Sequence, residues 1–110
     1  MYARIEFIPS AVPQEVVFNK IETEVLPILK RQKGFRKLLP FFPETAIQYG
    51  RLEKIIVISL WAEKRDAEQY EQETNPLVQR ILKPLAMTDI TTKTYIVEST
   101  ASLFEELPAA

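Results

Sequence analysis

The chain of 110 residues contains neither cysteine nor histidine. No disulfide framework can form, and no thiolate nucleophile or Cys/His zinc site can be built. The missing histidine removes the usual general base near neutral pH and the usual protein ligand to haem iron. Glycine is nearly as scarce. Gly34 and Gly50 stand sixteen residues apart, so there is no glycine-rich phosphate loop. These absences predict a protein that carries no haem, zinc, flavin or other cofactor. No charge of one sign dominates: fourteen Lys and Arg face fifteen Asp and Glu, for a net charge of −1. Nucleic-acid affinity depends largely on clustered cations that release counterions, so a nucleic-acid partner is not expected. No apolar run approaches the ~20 residues of a membrane span. The opening residues carry Arg4 and Glu6 and lack a small-residue cleavage site. The expectation is a cytoplasmic protein with no membrane partner.

What is present is ordinary for a globular chain: 46% hydrophobic and 26% charged residues. The length fits one domain, 1–110, with a tail at 100–110 in which Leu103, Phe104 and Leu107 suggest docking. MYARIEFI reads as a strand, with Ala3, Ile5 and Phe7 on one face and Tyr2, Arg4, Glu6 and Ile8 on the other. Pro13 opens a helix that runs to about Lys33, with Val17, Ile21, Val25, Ile28 and Leu29 on its apolar side. Pro27 lies inside it, which predicts a kink near Thr23–Leu26. Lys30, Arg31 and Lys33 then suit the negative helix end, and Gly34 suits a left-handed cap.

A second strand, Phe35–Phe42, contains Pro40 and so belongs at an edge or a bulge. A loop or hairpin extension through Pro43, Glu44 and Gly50 leads to a third, Lys54–Ala62. Its near-continuous apolar run places it centrally, with both faces covered. A charged helix, Glu63 to about Glu73, keeps Ala67 and Tyr70 inward. Asn75 and Pro76 restart a helix whose apolar face is Leu77, Val78, Ile81, Leu82 and Leu85. A last strand falls at roughly 89–99.

The order is β-α-β-β-α-β, which is α+β and ferredoxin-like: a four-stranded antiparallel sheet with helices on one face. The other face is left bare. Because the third strand is apolar on both sides, that bare face calls for a second copy of the sheet, making a homodimer.

The long helix ending KGF at 33–35, VISLWAEKRDAEQY at 57–70 and TYIVES at 94–99 resemble the antibiotic biosynthesis monooxygenase-like family. The resemblance covers about residues 1–100. It implies a dimeric α+β barrel with a pocket between sheet and helices for a small, flat, hydrophobic ligand. The residues expected around that pocket are Ile5, Phe7, Val57, Ser59, Trp61 and Tyr70. Trp61 has two readings that do not exclude each other, a core residue closing the end of the sheet and a wall of the pocket. Haem-degrading members use an asparagine, a tryptophan and a histidine. Those positions fall here at Ile5, Tyr70 and Arg80, and none matches. Members that oxidise aromatic polyketides carry an asparagine four residues before the strand-end tryptophan, where this chain has Val57; Trp61 itself matches.

The resemblance therefore implies either a cofactor-independent monooxygenase on a small hydrophobic or aromatic substrate, or a non-catalytic dimeric binding module. Arg4 and Glu6 are the other unusual feature, because burying an unpaired charge on a central strand is costly. One reading pairs them in the dimer interface. The other makes Glu6 a catalytic carboxylate with Arg4 as anion binder. Ser59, and Arg80 if it turned inward, complete the polar candidates.

Overall fold

The computed structural model describes residues 1–45, 47–48 and 51–97. Strand β1, Tyr2–Ile8, leads into a helical run of three parts. These are α1 at Gln14–Lys20, a π-helical turn at Ile21–Val25 and α2 at Leu26–Lys30. The expected kink is thus taken up as a π turn. The Leu26 amide bonds to the carbonyl of Ile21, five residues back, and the widened turn precedes the Pro27 ring, which has no N–H to donate. Val17, Ile21, Val25 and Leu29 are buried along one side of the run.

Gly34 follows with φ +80°, the left-handed cap. Its carbonyl accepts from the Ala62 amide at 2.7 Å. A Cβ there would stand 2.1 Å from Asp66 Oδ2, so only glycine fits. Strand β2, Phe35–Phe41, runs to a short pair, β3 at Ile47–Gln48 and β4 at Arg51–Leu52. Strand β5, Ile55–Trp61, leads to helix α3, Lys64–Glu73, and helix α4, Asn75–Leu82. A 3-10 turn at Lys83–Leu85 precedes β6, Thr91–Ile96. Thr74 stands at the N-cap position of α4 with no side-chain bond to the helix, Asn75 is its first residue, and Leu77 is exposed. Gly50, the ends of the hairpin loop and the proposed docking tail lie outside the described residues.

The main sheet has the order β2-β5-β1-β6, with every pairing antiparallel. Pro40 therefore sits on an edge strand, where its missing donor costs no ladder bond, and β2 also bulges between Phe35 and Lys37. Strand β5 is central. Its Ile55, Val57, Ser59 and Trp61 are buried, while Ile56, Ile58 and Leu60 are half-buried. The buried row joins Val17, Ile21, Val25 and Leu29 from the first helical run, and Ala67, Tyr70, Val78 and Leu82 from α3 and α4, in one core. Both helical layers thus cover one face of the sheet, as the element order predicts. No helix among the described residues is long and apolar enough to cross a membrane.

Candidate functional site

The register between β1 and β5 decides which side chains face the helices. Tyr2 pairs with Trp61, Arg4 with Ser59, Glu6 with Val57 and Ile8 with Ile55. Paired residues share a face, so Arg4 and Glu6 lie on the helix side with Trp61. Ile5 pairs with Ile58 and Phe7 with Ile56, on the bare side. Two expectations are corrected by this. Ile5 and Phe7 do not line a space with Val57, Ser59, Trp61 and Tyr70. Arg4 and Glu6 do not lie on the bare face where a second sheet would sit.

The Arg4 side chain is only 2% exposed. Its partners come from two elements, β1 and α3. Its Nη1 donates to Glu6 Oε1 at 3.1 Å, and its Nη2 donates to Glu71 Oε2 on α3. The guanidinium lies over the Tyr70 ring, 4.9 Å from the centroid, a cation–π contact strengthened by burial. Glu6 Oε2 accepts from Gln79 Nε2 on α4 at 3.1 Å. Gln79 also donates to Asn75 Oδ1, and Asn75 Nδ2 donates to Glu71 Oε1, both at 3.3 Å. Among the described residues no buried side-chain nitrogen or oxygen lacks a partner. Glu71, Asn75 and Gln79 were not anticipated. Their spacing of four on consecutive helical turns is the one sequence signal that could have grouped them. Arg80, beside Gln79, is exposed and takes no part.

Trp61 is 0% exposed. Its indole N–H donates to Ser59 Oγ at 2.9 Å. Phe35 meets it edge-on with centroids 5.6 Å apart, and Tyr70 packs against it at 4.9 Å. Both readings of Trp61 can be compared with this: it packs, and it lines none of the spaces described next.

Two spaces flank the Arg4–Tyr70 wall. The inner one is enclosed by Glu6, Val57, Ser59, Tyr70 and the aliphatic residues of the helices, and holds at most about one water molecule. The outer one is an open trough of about 260 Å³ between α3 and β6. It is lined by Tyr2, Arg4, Ala67, Glu68, Glu71, Thr92 and Thr94. It exists because the helices cover β2, β5 and β1 but leave β6 exposed along its whole length. Arg4 is the buried charge that reaches it. No group of three or more metal-ligating side chains gathers among the described residues.

Tyr70 is buried between these charges. Its phenol is pushed well above the ordinary tyrosine value, chiefly by loss of solvent and then by the negative Glu6, with Arg4 opposing. The unfolded chain releases this proton near about pH 10, whereas the folded chain retains it. Above that pH the unfolded state binds fewer protons, so stability falls as pH rises. The slope contributed by Tyr70 should approach about 1.4 kcal/mol per pH unit. Urea unfolding of wild type and Tyr70→Phe on either side of about pH 10 checks this: the difference in slope between the two proteins is the contribution of Tyr70.

No protein-family model matches the chain, and no curated protein matches it. Solved structures do. SnoaB, a cofactor-independent oxygenase from Streptomyces nogalater, superposes with a TM-score of 0.66 at 11% identity, over 90% of this chain and 94% of its own. A Bacillus cereus protein named for the antibiotic biosynthesis monooxygenases gives 0.64 at 15% identity, over 90% and 93%. A dimeric protein of unknown function and ferredoxin-like fold from Bacteroides fragilis gives 0.63 at 17%, over 87% and 95%. The chain has the fold of the antibiotic biosynthesis monooxygenase-like proteins.

Proposed function

We propose that this chain forms a homodimer through its bare sheet face and binds a small, flat, apolar molecule in the trough beside Arg4, where it oxygenates a phenol or enol without a cofactor. The observation that carries the reading is a buried arginine, paired with two carboxylates, that opens onto a trough of ligand size in a fold shared with a cofactor-independent oxygenase.

The dimer follows from what the bare face contains. Ile5, Phe7, Leu39, Ile56, Ile58 and Leu60 form a continuous apolar surface across three strands, and Phe41 and Tyr95 extend it while half exposed. A patch of that character on a chain this small calls for a partner, and a dimeric neighbour of the same fold supports a second copy. Sedimentation at micromolar concentration should give a mass near twice 12.7 kDa. Ile58→Lys should halve it. A monomeric wild type would sink the assembly.

In the chemical reading the substrate hydroxyl lies against Arg4, and Glu71 on the trough wall takes its proton. Arg4 stabilises the resulting anion. Glu6, a catalytic carboxylate in one of the two sequence readings, does not line the trough, and its role here is to hold Arg4 in place. The anion gives one electron to molecular oxygen, and the radical pair combines to a carbon-bound peroxide. That carbon loses its proton, the O–O bond breaks, and the products are a carbonyl and water. Purified protein should consume one oxygen per substrate with naphthols or 1,3-diketones. Glu71→Gln should slow it by about 10²–10⁴-fold, the usual worth of a general base. The pairing of both Glu71 oxygens, to Arg4 and to Asn75, favours a second reading, a binding module without catalysis. Absence of oxygen uptake with every such substrate would select it.

A further inference from the structure

We propose that the trough between α3 and β6 is an oxyanion site with its own latch: the ligand's anionic oxygens replace the Glu71 carboxylate on Arg4, and Glu68 turns away any ligand with a second negative charge. This rests on the small-molecule reading above but not on its oxygen chemistry.

The two carboxylates on Arg4 are not equivalent. Glu6 is buried on the same strand and shares the core, whereas the side chain of Glu71 is 49% exposed at the rim. Releasing Glu71 returns a half-hydrated carboxylate to water. Releasing Glu6 would strand a buried charge, which is far more costly. Any competitor for Arg4 that enters from the trough therefore displaces Glu71. What it must offer is also fixed. The guanidinium fork pairs best with a planar anion of two oxygens, and Nη2 already holds one such group. Arg4 meets it pre-organised, pinned by Glu6 and laid over Tyr70, so little side-chain entropy is lost on binding.

The rest of the trough describes the body of the ligand. Tyr2 and Ala67 offer apolar surface, and Thr92 and Thr94 offer methyl groups and hydroxyls from β6. At about 260 Å³ the space lies just under the ~300–1,000 Å³ of drug-sized sites, which suits a ligand of about two fused rings. Among the described residues Glu68 is the only other charge lining it; it is exposed, with Oε1 3.7 Å from Lys64 Nζ. A monoanion can point its charge at Arg4 and its apolar end past Glu68. A dianion must set its second charge beside this exposed carboxylate.

The probe is 2-naphthoate, with uncharged 2-naphthamide and doubly charged 2,6-naphthalenedicarboxylate as controls. All are titrated calorimetrically into the wild-type protein, Glu71→Gln and Thr94→Trp. Naphthoate should bind wild type more tightly than either control. Removing the latch should tighten naphthoate by roughly three- to tenfold, the population gained when a partly exposed ion pair no longer competes. It should leave naphthamide unchanged. Thr94→Trp, at the exposed strand position paired with Arg4, fills the trough and should abolish binding. Equal affinity for naphthoate and naphthamide, weaker naphthoate binding in Glu71→Gln, or binding that survives Thr94→Trp would each overturn the inference. Naphthoate cannot turn over, so the oxygen-uptake assay fails or succeeds separately. Uptake without naphthoate binding leaves the oxygenase reading and removes this one, and binding without uptake does the reverse.

Discussion

Replacing Trp61 by alanine is expected to cost about 3–5 kcal/mol, the range for deleting a fully buried large aromatic. The indole is sealed from solvent and touches a ring on either side, Phe35 edge-on and Tyr70 tilted. Such pairs add about 0.5–1.5 kcal/mol beyond burial alone. The truncation also leaves the Ser59 hydroxyl, itself buried, without the donor it now accepts from. An orphaned polar group of that kind adds a desolvation penalty and moves the expected loss toward the top of the range. Since a domain of this kind holds only about 5–15 kcal/mol, the alanine variant will be close to unfolding. Trp61→Phe gives the graded measurement. It keeps the apolar mass and loses the hydrogen bond, for a loss of about 1–3 kcal/mol. Urea unfolding followed by circular dichroism, at one fixed protein concentration, compares all three proteins without relying on the fluorescence of the residue being removed. A loss below about 2 kcal/mol for Trp61→Ala would mean that the ring borders space into which its neighbours can collapse. The pocket-wall reading would then return.

The position of Trp61 at the end of a central strand could be read from the run IIVISLW, because a strand covered on both faces is apolar almost without interruption. The same feature hid the face of β1. Both rows of β5, Ile55-Val57-Ser59-Trp61 and Ile56-Ile58-Leu60, are apolar but for one serine. Hydrophobic pattern alone cannot say which row the helices cover, and a choice of row moves every side chain of the neighbouring strand to the other side. Ile5 and Phe7 look like core residues and were expected beside Val57, yet they face outward. Arg4 and Glu6 look like surface residues, yet they face the helices. Their burial is tolerable only because Glu71 and Gln79, 67 and 73 residues further along the chain, arrive with the matching charge and donor. Contacts at that separation leave no trace in local periodicity. The kink at Pro27 could be read because its cause is covalent. Its form as a π turn could not, since that depends on the packing of Ile21 and Val25 against the sheet.

Arg4→Ala is expected to destabilise the fold by about 3–5 kcal/mol, because it leaves the Glu6 carboxylate buried with no cation beside it. This loss would not show that the pair stabilises the protein. Taking both charges out of water costs several kcal/mol per ion, and their attraction repays that only in part. The informative variant is the double replacement Arg4→Met with Glu6→Leu, which puts apolar side chains of similar volume in the same places. Its stability should return to that of wild type or exceed it by about 1–4 kcal/mol. Gln79 keeps its bond to Asn75 Oδ1, and Glu71 keeps the donor from Asn75 while its other oxygen turns to water. Glu6→Leu alone should also be costly, since Arg4 would retain only the rim partner Glu71. Wild type, Arg4→Met, Glu6→Leu and the double variant make a cycle, and a coupling energy larger than either the gain or the loss of the double variant isolates the pair from its surroundings. The double variant should fold, form the same assembly and fail to bind 2-naphthoate. That combination would mean that the arginine is kept on a central strand for what enters the trough, at no benefit to the fold. A double variant as unstable as Arg4→Ala would instead make the pair a structural part of the core, and the trough would lose the one charge that gives it a ligand.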